Sequence, residues 1–238
     1  MAITREFVED TPMTMQIAIR ARDGFVLAGD TWNRITGDGI SSRPVPSAVV
    51  NHSKVSTDDV NSVVVPIAGS SRDDDPAKEF CQYVSRRGPL PNDPREDFLE
   101  WGTRYYEQYK GWAFSLLLVD PKMKTDYIWS LRVGQDVQCA PHSMCMVNGD
   151  EHNPAILWPQ YFKCYNRPLR TLEAAIQIAA LTILTAGELN NFGVGDLEIW
   201  QYGTSARWSA VAPLEVDRIV DRFQKLKERW GQFVDGGL

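Results

Sequence analysis

Residues 15 to 30 read Met-Gln-Ile-Ala-Ile-Arg-Ala-Arg-Asp-Gly-Phe-Val-Leu-Ala-Gly-Asp, and the rest of the fold can be worked outward from them. The pattern is an alternating strand, an Asp23-Gly24 turn, and a second strand rich in Val, Leu and Ala, which together signal a β-hairpin. Ser47 to Val50 and Ser62 to Ala68 supply further strands, separated by a polar stretch from Asn51 to Asn61. Asp73-Asp74-Asp75-Pro76 then sets acids and a proline where a helix begins, and AKEFCQYVSRR carries that helix to Gly88. The acidic run matches the helix dipole, so it reads as capping and not as a metal site. A second helix is expected from about Pro94 through REDFLEWGTRYYEQYK. Phe98, Trp101, Tyr105 and Tyr109 recur in it at spacings of three and four, the pattern of a core-facing stripe.

From Trp112 the strand pattern returns: WAFSLLLVD, a turn region at Pro121-Lys122, TDYIWSLRV, then VQCAPHSMCMV. After Asn148-Gly149-Asp150, a short helix is expected over Ala155 to Tyr165. A long one follows over Leu169 to Leu189, apolar nearly all round and therefore buried. LEIWQY and ARWSAV form a closing hairpin around Gly203-Thr204, and Pro213 opens a final amphipathic helix. Strand blocks separated by paired helices do not suit parallel βαβ crossovers. They suit an α+β fold in which two antiparallel sheets stack with helices on both outer faces, a four-layer αββα sandwich.

With 238 residues, 43% hydrophobic and 24% charged, the chain has the composition of one globular domain. No repeat, low-complexity tract or long linker divides it. The formal net charge of -6 and the lack of a basic cluster argue against a nucleic-acid partner. Gln177, Thr182 and Thr185 interrupt the longest apolar run, so no membrane span is expected. The first residues, MAITREFVEDTPM, have no apolar core and do not form a secretory signal, which points to the cytoplasm. Cys81, Cys139, Cys145 and Cys164 are expected as free thiols, because a core of this size needs no bridges. Cys139-x-x-His142-x-x-Cys145 lies within a strand-like run and not on a zinc knuckle, so buried thiols are the better reading. His52 and His142 have no serine or aspartate partner at a recognisable spacing, and no G-x-S-x-G or phosphate-binding loop is present.

Met13-Thr14, the strand from Met15, Asp23-Gly24, the strand FVLAGD ending at Asp30, and Ile67-Ala68-Gly69-Ser70-Ser71 together resemble the opening of a proteasome β-type subunit. That family and its simpler bacterial homologues belong to the N-terminal-nucleophile hydrolases. The resemblance extends to the LEIWQY hairpin and the terminal helix. It implies a threonine-type peptidase of a self-compartmentalising ring, acting on peptides or unfolded polypeptides without a cofactor. Self-association into rings is implied too, with an ATPase or other ring subunit as a further partner. It divides the chain into a leader, residues 1–13, and a single domain, residues 14–238.

In that family the nucleophile is an N-terminal threonine, which the register places at Thr14. A hydroxyl is a poor nucleophile at neutral pH, and an α-amine with a reference pKa near 8 is a base able to activate it. Thr14 can use this chemistry only once residues 1–13 are gone, through cleavage or through a start at Met13. The resemblance makes Asp30 and Lys54 the supporting charges and Gly69 the oxyanion donor through its backbone N–H. Simpler readings of the residues stand beside these: Asp30 in an Asx-turn with Thr31, Lys54 as a solvated loop charge, and Gly69 as a turn glycine. Gly149, Asp150, Asn190 and Asn191 fall at the family's supporting positions but depart from its pattern. Asn148-Gly149-Asp150 stands where Gly-Ser-Gly is usual, and Asn190-Asn191 where an aspartate and serine are usual. These departures motivate an alternative, a catalytically inactive structural subunit of such a ring. An amidase acting on a small molecule with the same nucleophile is a third reading.

Overall fold

The structure, a computed structural model, describes residues 15–35, 48–51, 55–58, 63–69, 76–87, 93–108, 114–123, 126–149, 153–189 and 197–236. The opening hairpin is β1 (Met15–Ala21) and β2 (Gly24–Asp30), paired antiparallel from Ala21↔Gly24 to Gln16↔Gly29. Arg22 and Asp23 make the turn, one residue earlier than the Asp23-Gly24 turn expected. Gly24 belongs to the strand, and its reason for being glycine lies across the sheet. A Cβ there would overlap the backbone carbonyl of Tyr202, which lies against it from the neighbouring strand.

β3 (Trp32–Ile35) and β4 (Ala48–Asn51) form a two-stranded ribbon. β5 (Val55–Asp58) lies inside the stretch expected to be polar loop and pairs with β6 (Val63–Gly69). Helices α1 (Pro76–Arg87) and α2 (Arg95–Gln108) follow, then β7 (Phe114–Val119) and β8 (Ile128–Val133). The run VQCAPHSMCMV divides at Ser143-Met144 into β9 (Gln138–His142) and β10 (Cys145–Gly149), which enter different sheets. A 3-10 turn (Pro154–Ile156), α3 (Leu157–Tyr161), α4 (Leu172–Leu189), β11 (Leu197–Tyr202), β12 (Trp208–Ala210) and α5 (Pro213–Gly236) complete the chain.

Two antiparallel five-stranded sheets result. The first runs β10-β1-β2-β11-β12 and the second β5-β6-β7-β8-β9. Ala18, Phe25, Leu27 and Trp208 from the first sheet meet Leu117, Val119 and Ile128 from the second, forming the layer between them. The other face of the first sheet, through Met15, Ile17, Ile19, Val26 and Ala28, packs on Ala175, Ile178, Ala179 and Ile183 of α4 and on Ile219 of α5. By length and composition α4 would suffice to cross a bilayer; here its buried face lies on β1, β2 and β11. The outer face of the second sheet takes α1 and α2 through Phe80, Phe98, Trp101, Leu116, Trp129 and Leu131. Phe80 lies 4.7 Å from Trp101 and 5.1 Å from Phe98, centroid to centroid, and Phe98 meets Trp129 edge-on at 5.8 Å. Each such buried aromatic contributes about 1.5–3 kcal/mol from area alone, with about 0.5–1.5 kcal/mol more per well-oriented pair. The expected αββα layering is therefore present, with α1 and α2 on one outer face and α4 and α5, together with the short α3, on the other.

Candidate active site

Four adjacent strands of the first sheet end together. Across β10, β1, β2 and β11 the last row is Gly149, Met15, Asp30 and Leu197: Met15 pairs with Gly149, Asp30 pairs with Leu197, and Gln16 opposite Gly29 sets the hairpin register. Asp30 closes β2 and is only 3% exposed. Its Oδ1 accepts the Met15 backbone N–H at 3.2 Å, a bond that also satisfies an amide at the strand end, where ladder partners run out. Asp30 therefore does more than close a local turn. Its carboxylate is fixed against the residue that follows Thr14 in the chain.

A second polar contact lies one residue further into the sheet. Gln16 and Asn148 face each other directly across β1 and β10, and Asn148 Nδ2 donates to Gln16 Oε1 at 3.2 Å. Both are buried. The sequence reading named Asn148 only as a departure and passed over Gln16. The available signal was a single amide in a strand whose other residues, Arg20 apart, are buried on both faces.

Gly149 has φ 122°, a conformation that an L side chain adopts only with strain, and glycine meets this requirement at the strand end. Gly69 is the last residue of β6 and pairs with Phe114 in the second sheet. β6 packs against β1 and β10 across the sandwich. Thr14, Lys54, Asp150, Asn190 and Asn191 lie outside the described residues, as do His52 and Tyr109. Of the expected site residues, the structure thus brings Asp30 and Gly149 to one sheet end, on either side of Met15.

His142 has the partners that spacing did not reveal. On the β8–β9 ladder its Nε2 lies 2.9 Å from Ser130 Oγ, while Ser143 Oγ donates to Asp126 Oδ1 at 2.9 Å. Burial lowers the imidazole pKa, with Asp126 acting weakly in the opposite direction. The four cysteines are free thiols. Burial pushes Cys139 up to about 12, Cys164 up to about 11 and Cys145 well above its usual value, so these three are not ready thiolates. Among the described residues no group of His, Cys, Asp or Glu side chains could hold a metal ion.

No family model matches the chain, and no curated protein matches it in sequence. Solved structures do match. Anbu (ancestral beta-subunit) from Yersinia bercovieri superposes with a TM-score of 0.63 at 15% identity, covering 92% of this chain and 97% of that one. The Anbu (Gly-1) mutant from Hyphomicrobium sp. strain MC1 gives 0.62 at 13% identity, with coverage of 92% and 97%. This finding corrects the resemblance drawn from sequence: the structural neighbours are Anbu proteins, not the proteasome β-type subunit or bacterial proteasome-like hydrolase that the motifs suggested. At this identity the likeness establishes the fold, and the chain has the α+β sandwich architecture of an Anbu β-subunit.

Proposed function

We propose that this protein is a self-associating, Anbu-like β-subunit that hydrolyses peptide bonds with Thr14 as nucleophile. The observation that carries the reading is the buried Asp30 side chain holding the Met15 N–H, because it fixes an acidic group beside the residue following Thr14. Once residues 1–13 are removed, the Thr14 α-amine takes the hydroxyl proton as Oγ attacks the scissile carbonyl carbon. The Gly69 N–H receives the developing oxyanion. The amine then returns the proton to the departing nitrogen, leaving an ester on Thr14 that water hydrolyses by the same route in reverse. Asp30 orients the Lys54 ammonium, whose positive charge favours the neutral, basic form of the amine at working pH. These groups require no cofactor.

Self-association into a ring would enclose such sites and restrict substrates to extended peptides and unfolded chains, with an ATPase or other ring subunit as the feeding partner. A second reading, a structural subunit without turnover, draws support from Asn148, Asn190 and Asn191 standing where the resemblance led one to expect other residues. Hydrolysis of a fluorogenic peptide separates the two. The peptidase reading expects turnover in the parent and none above background in Thr14→Ala, with the melting temperature retained. Equal turnover in both proteins contradicts it, and no turnover in either favours the structural subunit.

A further inference from the structure

The face of the first sheet that meets the second is apolar through Ala18, Phe25 and Leu27, with Arg20 of β1 lying over the Tyr127 ring toward the hairpin turn, and it has a second polar place at the opposite strand end. There Gln16 and Asn148 interrupt it, 1% and 6% exposed. Alternation puts Gln16 on the face of Ala18, and Asn148 on the face of Met146, which also packs into the layer between the sheets. Gly29 leaves room for the amide: a Cβ there would come 3.2 Å from Gln16 Cγ. Carboxamides in such surroundings are tolerated only when hydrogen-bonded to one another or to backbone. A one-residue slip of β1 against β10 would turn one member of the pair to the opposite face and break the bond. The pair thus penalises every register except the observed one, in which Met15 stands opposite Gly149 and its N–H reaches Asp30.

We infer that Gln16 and Asn148 are a positioning pair that locks the last register step of β1 and thereby holds Met15, the residue after the proposed nucleophile, against Asp30. They act through the strand pair, with Gln16 two residues from Thr14 along the chain and Asn148 opposite it on β10. The catalytic half of this inference rests on the peptidase reading, whereas the register lock does not.

The test compares the parent with Gln16→Met, Asn148→Leu, their combination, and the near-isosteric Asn148→Asp, each expressed as the full chain and, for the kinetics, verified by intact mass to begin at Thr14. Amide hydrogen exchange followed by mass spectrometry is read first. The apolar variants should exchange the β1 peptide about tenfold faster, with the second sheet and α4 unchanged. Kinetics on a fluorogenic peptide should show kcat lowered at least about tenfold, KM within about twofold, and the double variant no worse than the more damaging single one, as expected of residues acting as one unit. Asn148→Asp supplies the rescue. Its activity relative to the parent should rise as pH falls, because only the protonated carboxyl can donate to Gln16 Oε1. Unchanged exchange, exchange lost uniformly over the chain, additive kcat losses, or no acid recovery in Asn148→Asp each overturns the inference. A parent that never hydrolyses peptide overturns the peptidase reading instead, and the exchange comparison alone then decides the register lock.

Discussion

Asp30 shows how much a single strand-end carboxylate reveals about a site. Replacing it with Ala leaves the buried Met15 N–H without its acceptor, a loss of about 1–3 kcal/mol that a denaturant melt should read, together with loss of peptide turnover. His142 makes a prediction of opposite character, since it concerns stability and not activity. Burial depresses its folded pKa, so the native state prefers the neutral ring while the unfolded chain takes up a proton at the ordinary value near 6.5. Its contribution is complete above that value and is lost as pH falls through the lowered folded one. His142→Gln should therefore flatten the decline of melting temperature below pH 6.5, and an unchanged decline would refute the assignment. Native Cys139, Cys145 and Cys164 should resist iodoacetamide at pH 8 and react on unfolding, as peptide mapping can show. The place of Asp30 at the end of β2 was legible because it closes a clear apolar strand, whereas its supporting role came from the resemblance alone. Gln16 was not legible, because hydrophobic periodicity gives no information about which neighbour a buried amide meets.

Elements were legible where one periodicity ran unbroken, as in α1, α2, α4, α5 and the opening hairpin. They were not legible where the chain changes sheets. VQCAPHSMCMV looks like one strand because β9 and β10 share the same alternation, and only the bend at Ser143-Met144 sends β10 across to β1. β5 escaped because Val55–Asp58 is short and polar, its place set by pairing with β6 and by α1 above it, not by its own propensity. Two substitutions test the packing. Phe98→Ala empties the centre of the aromatic cluster beneath α2 and should cost about 3–5 kcal/mol in chemical denaturation. Gly24→Ala forces β11 away from β2 and should cost about 1–3 kcal/mol, whereas a merely flexible turn glycine would tolerate the methyl group.

For the whole molecule, the layer order followed from the order of strand and helix blocks, because paired helices between antiparallel strands leave few other ways to cover both outer faces. Family placement was less accessible. At 13 to 15% identity the short opening motifs suggested a proteasome β-type subunit, while superposition over 92% of the chain leads to Anbu. If the chain works as an assembled particle, analytical ultracentrifugation should find no monomer, whether the 26.9 kDa full chain or the form lacking residues 1–13, at micromolar concentration; a stable monomer with full turnover would remove the ring from the account. The central claim, an α-amine and a hydroxyl on the same threonine, is tested most directly by N-terminal sequencing and intact mass of the active native protein. The account predicts chains that begin at Thr14, lacking residues 1–13, in the fraction that hydrolyses peptide. Full peptidase activity in chains that still carry residues upstream of Thr14 would contradict it.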